Sequence, residues 1–215
     1  FEIEPTIWFN PDLKSTYFFV PGILALILVM ISALLTSITI TREKELGTLE
    51  QMLVSPVRPY EIILGKVVPY IFLAFLDATI ILMIGIFLFQ VPFKGSVVLL
   101  ALLTTLYIIT ALSLGLMIST ITRTQQVATM VAQIATLLPT VMLSGFIFPI
   151  ASMPKALQYI SYIIPAKYYL VIVRGVLLKD NTFVQLLPQI GFLAAMSTIL
   201  LLVAWRRFSL NLEKM

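Results

Sequence analysis

The chain has 215 residues, 60% apolar and only 11% charged, with a mean hydropathy of +1.06, whereas ordinary globular chains carry about a quarter charged residues. That balance places it among integral membrane proteins. The absence of Cys and His excludes disulfides, thiolate nucleophiles and the commonest metal-ligand sets, and a net charge of +4 is too small and too scattered for nucleic-acid binding.

In chain order, residues 1–19 are mildly acidic, with Glu2, Glu4 and Asp12 against Lys14, and read as the end of an extracytoplasmic region. The chain begins at Phe1 with no basic segment leading into an apolar one, so a C-terminal piece of a longer membrane protein is expected. A hydrocarbon core of about 30 Å needs roughly 20 apolar residues in a helix. Five stretches qualify: 20–40, 67–89, 97–122, 127–150 and 186–205. Four of them carry no charge, and 67–89 carries one, Asp77. Helices are expected because backbone groups in lipid must be satisfied within the segment, and the alternation of a membrane β-barrel is absent.

Between the fourth and fifth spans, residues 150–179 are broken by Pro154 and Pro165 and carry Lys167 and Arg174. The apolar part, 166–178, is too short and too charged to span. The segment reads either as broken helices dipping into one membrane face or as surface helices lying in the interface. Tyr159, Tyr162, Tyr168 and Tyr169 fit an interfacial aromatic belt. Arg174 and Lys167 read as cations reaching headgroups or local partners, with a place near an exit as the sharper alternative.

Five spans put residues 41–66, the turn at Arg123 and the C-terminus on one side, with eight Lys and Arg against six on the other. That side is assigned to the cytoplasm.

The segment between the first two spans, 42–55, carries most of the information. Leu46, Leu49 and Leu53 fall on one helical face. Gly47 interrupts the pattern, and Thr48 with Gln51 has capping-box spacing. Two short helical pieces jointed at Gly47 and stopped before Pro56 are expected, amphipathic and parallel to the membrane. They could simply rest on the bilayer, or offer their charged face to a soluble partner.

Asp77 lies next to the centre of its span, where a carboxylate costs a few kcal/mol, so it is expected to face protein or water. It reads as a polar group of a translocation pathway or dimer seam, or as a structural group hydrogen-bonded to Thr79 or to neighbouring hydroxyls. Gly65-Lys66-Val67 lacks the glycine and the Ser/Thr of a phosphate-binding loop, so nucleotide is not expected to bind this chain.

The run Arg42-Glu43-Lys44-Glu45-Leu46-Gly47-Thr48-Leu49-Glu50-Gln51-Met52-Leu53-Val54-Ser55-Pro56 closely resembles the signature of type-2 ABC transporter permeases of the multidrug-efflux-like kind. The resemblance continues in Ser119-Thr120-Ile121-Thr122-Arg123-Thr124-Gln125, in Leu143-Ser144-Gly145-Phe146, and over nearly the whole chain. It implies an all-α integral membrane protein: five transmembrane helices of a six-span permease, an amphipathic cytoplasmic coupling helix at 42–55, and exofacial re-entrant helices at 150–179. Residues 20–215 would form the permease domain.

The resemblance further implies coupling to a separate ABC ATPase through Arg42, Glu43, Glu45, Gly47, Thr48, Leu49, Glu50 and Leu53. ATP and Mg would be held on that subunit, with no cofactor on this chain. A second permease protomer would complete the pathway in a homodimer, in the inner (plasma) membrane. The alternatives are a secondary transporter with Asp77 as its ion-linked group, and an intramembrane enzyme. The first would normally show inverted repeats, and the second would need an Asp pair or a Ser-Lys dyad within the spans.

Overall fold

Long apolar runs without water must close their backbone hydrogen bonds internally, and the chain does so as helices. A computed structural model describes residues 15–48 and 59–212. In chain order the helices are α1 (Thr16–Glu45), α2 (Pro59–Phe87), α3 (Val97–Ile121), α4 (Gln125–Leu143), α5 (Lys155–Ser161), α6 (Pro165–Lys179) and α7 (Phe183–Leu212). A 3-10 turn, Ile150–Ser152, precedes α5, and no strand occurs among the described residues. Five helices are long and apolar enough to cross a membrane: α1, α2 from Gly65, α3, α4, and α7 to Arg207.

Two of these depart from the hydropathy boundaries. The first span does not stop at residue 40: α1 continues through Arg42, Glu43, Lys44 and Glu45, all good helix formers, and ends at Leu46 and Gly47. Gly47 has φ +71°, the left-handed value that closes helices and that side chains with a Cβ resist. The fourth span does not reach residue 150. Helix α4 ends at Leu143, and Gly145 at φ +82° turns the chain away while its sequence is still apolar.

Helices α1 and α3 are the interior pair. Half of the most apolar stretch of each is buried, against 17% for α2 and α7, whose outward faces are apolar and suited to lipid. Close approach of α1 and α3 rests on Gly115, where an added Cβ would come within 2.5 Å of the Ala33 carbonyl oxygen. Helix α4 lays a row of small residues on α1: Ala128, Ala132, Thr136 and Thr140, four residues apart and all buried. Hydroxyls inside the spans return their protons to the preceding turn, as Thr36 does to the Ser32 carbonyl (3.0 Å) and Thr136 to that of Ala132 (2.7 Å).

Helix α6 overturns the reading of this region as surface helices. Its buried residues include Ala166, Tyr169, Leu170, Ile172, Val173 and Val176, and it packs on α1, α3 and α7. Tyr169 stacks on Tyr107 of α3 at 4.0 Å and 7°, and shares a 2.8 Å hydrogen bond with the Thr104 hydroxyl. The Tyr107 hydroxyl donates to the Ala25 carbonyl of α1 (2.8 Å). Only α5 stays outside, with Ser161 as its single buried residue, and it meets α6 at 80°.

Candidate functional site

The last turns of α1 gather the ends of three other helices. Thr41 is fully buried and its hydroxyl meets that of Thr122 at 3.1 Å. Because Thr122 gives its proton to the Ile118 carbonyl (3.0 Å), Thr41 is the donor. Glu43 forms an ion pair with Lys66 of α2, both side chains being less than a fifth exposed. The Lys44 ammonium donates to the Ser119 carbonyl in the last turn of α3. One Glu45 carboxylate oxygen accepts from the Gln125 backbone N–H (2.9 Å) and from its side-chain amide (3.2 Å). Three consecutive side chains thus reach α2, α3 and α4 in turn.

Beyond the helix end, the Thr48 hydroxyl donates back to the Glu43 carbonyl (3.3 Å), folding the joint at Gly47 against α1. Nothing lies within 4 Å of a Cβ built on Gly47, so glycine is required there for its φ and not for space. Arg42 is exposed. Leu49, Glu50 and Leu53 lie outside the described residues.

Of the candidate elbow residues, the structure therefore brings Glu43 and Glu45 into contacts with other helices. It also adds residues that sequence reasoning passed over as site members: Thr41, Lys44, Lys66, Ser119, Thr122 and Gln125. The signal was present in the run 119–125, but nothing in its periodicity says that it folds against residues some 80 positions earlier.

Asp77 is half-buried on α2. The hydrogen bond from Thr79 that the sequence allows is not formed, because the Thr79 hydroxyl donates to the Phe75 carbonyl (2.8 Å). Among the described residues Asp77 has neither a hydrogen bond nor an ion pair. Ile81 and Ile84, one and two turns further along, line an apolar groove with Val20, Ile23 and Ile27 of α1, which sets Asp77 on the edge of α2 nearest that helix. On the other flank of α1, Gln133 is exposed near the middle of α4, in a cleft with Met30, Ile134 and Leu137. The outward face of α1 is therefore bordered by one polar group on each side.

The two exofacial cations of the sequence reading are structural ties. Arg174 turns into the protein, donating to the carbonyls of Gly145 (3.2 Å) and Phe18 (3.4 Å) with its guanidinium 4.0 Å from the centre of the Phe18 ring. Lys167 sits 3.4 Å over the Tyr162 ring and donates to Ser161 (3.0 Å). Both bonds hold α6 to its neighbours. Tyr169 likewise lies in the core and not in an interfacial belt.

The profile of the family described as ABC-2 family transporter protein matches residues 1–206. Among curated relatives, a probable multidrug ABC transporter permease, YbhS, of Escherichia coli (strain K12) is 37% identical over 212 residues, 99% of this chain and 56% of its own length. The same organism's probable multidrug ABC transporter permease YbhR is 38% identical over 173 residues, covering 80% of this chain and 47% of the relative. Its inner membrane transport permease YhhJ is 32% identical over 211 residues, covering 96% and 55%. The chain spans about half the length of these relatives. With the profile covering nearly all of it and an all-helical, multi-span fold around the elbow, the chain belongs to the ABC-2 family of transporter proteins.

Proposed function

We propose that this chain is the membrane-spanning part of an ATP-driven exporter, coupled through the 42–55 segment to a separate ATPase subunit that holds ATP and Mg. The observation that carries the reading is the elbow. A 30-residue helix runs beyond its apolar stretch into a charged end that is tied to α2, α3 and α4, and then breaks at a glycine joint. An element held that way can convert a push from a soluble partner into movement of several spans together. The relatives' names, probable multidrug ABC transporter permeases, support the export of small molecules without naming a substrate for this chain.

In this reading the pathway runs along the face of α1 between Asp77 and Gln133, closed by the same face of a second copy. Polar side chains at membrane depth face protein or water, and the rest of this surface is apolar. In this reading the elbow and the C-terminal end of α7 with Arg206 and Arg207 lie in the cytoplasm, as their basic residues favour, in an inner (plasma) membrane.

The test is a single cysteine, Leu49→Cys, in the full-length permease in its native membrane; the chain described here has no other cysteine. Cross-linking is expected to yield an adduct with a subunit carrying a phosphate-binding loop, and export in vesicles to require ATP. Export driven by an ion gradient in vesicles without such a subunit would overturn the reading. It would favour a secondary transporter, for which Asp77, without a partner among the described residues, is the specific argument.

A further inference from the structure

We propose that Lys44 and Glu45 form a charge-matched clip on the turn between α3 and α4, and that this clip delivers displacement of the elbow to α4. The inference deepens the exporter reading and rests on it. Helices α3 and α4 are separated by only three residues, 122–124. The turn therefore sets the last carbonyls of α3 beside the first amides of α4. Neither set has partners within its own helix, and the two ends carry opposite partial charges, negative at the end of α3 and positive at the start of α4.

The side chains that meet them have the matching signs. Lys44 gives its ammonium to the Ser119 carbonyl, and Glu45 takes the N–H of Gln125, the first residue of α4. Thr41, one turn earlier, adds its hydroxyl bond to Thr122. Residues 41, 44 and 45 are spaced i, i+3, i+4, so one face of α1 makes all three contacts on one turn. Glu43 points elsewhere and holds α2 through Lys66.

The clip has a mechanical consequence because of how α4 is otherwise held. Its buried row on α1 is small residues, and packing between helices in lipid has no hydrophobic drive to resist sliding. The polar bonds at its first turn are directional and fix its end to α1. Movement of α1 at the elbow would then carry the end of α4, and with it the face bearing Gln133. The order of the two charges matters, since each must meet its own helix end.

The experiment exchanges them. Lys44→Glu with Glu45→Lys keeps composition and net charge but sets each charge against the wrong helix end. In the purified complex of the full-length permease and its ATPase, export per ATP hydrolysed is expected to fall about tenfold, within the usual range of coupling between sites. Lys44→Arg, which keeps the cation, is expected to retain the wild-type ratio. Should the exchange prevent insertion, Glu45→Gln removes only the exposed charge and is expected to lower the ratio in the same direction. An unchanged ratio in the exchange, or in Glu45→Gln where the exchange does not assemble, overturns the clip. A wild-type complex that shows no ATP-dependent export overturns the exporter reading instead, so the two failures are distinct.

Discussion

At Gly115 a single hydrogen atom sets the distance between α1 and α3. A Cβ there would lie 2.5 Å from the Ala33 carbonyl oxygen and 2.9 Å from its Cα, and backbone cannot step aside as a flexible side-chain end could. Overpacking of this kind costs about 1–3 kcal/mol. Gly115→Leu is therefore expected to lower the thermal midpoint of the purified protein clearly. Gly191→Leu is the control, because nothing lies within 4 Å of a Cβ at Gly191 and a leucine on that exposed face of α7 meets only lipid. Equal midpoints for the two variants would mean that the α1–α3 spacing tolerates adjustment. The same scale explains Arg174, whose charge made α6 look like a surface helix. Its guanidinium is taken up by two backbone carbonyls and an aromatic ring, so a charged helix can still be packed in the interior.

At the scale of elements, hydropathy located all five spanning helices, because a run of about 20 apolar residues admits little else in lipid. Their ends were legible only in part. Apolar count says nothing of a helix that continues in charged residues, as α1 does, or of one that stops at a left-handed glycine, as α4 does. The burial of α6 was not legible either, because it depends on Tyr107 and Tyr169 stacking across helices more than 60 residues apart. The joint at Gly47 was legible as a break in periodicity, and its conformation gives it a test. At φ +71° a β-branched residue is strained by about 1–2 kcal/mol, whereas Asn tolerates the region. Gly47→Val is expected to reduce cross-linking of a Leu49→Cys permease to the proposed ATPase subunit, and Gly47→Asn to preserve most of it. Equal yields would show that the joint does not set the direction of the segment beyond it.

At the scale of the whole molecule, the arrangement separates two kinds of surface. Helices α2 and α7 present apolar side chains outward with little buried, as lipid contact requires. The face formed by α1 between α2 and α4 differs in having Asp77 at one border and Gln133 at the other. The sequence singled out Asp77 by its charge but passed over Gln133, because one amide in an apolar run barely alters hydropathy and its outward direction depends on α4 lying against α1. A glutamine exposed near the middle of a 19-residue span is costly against lipid and acceptable against a second copy or a water-filled path. Gln133→Cys in the full-length protein is therefore expected to form a disulfide-linked dimer under mild oxidation in the membrane. A cysteine at the exposed Phe192 of α7, on the lipid-facing side, should leave the protein monomeric on a non-reducing gel. The reverse pattern would assign a contact between copies to α7 and overturn the proposed pathway on the α1 face.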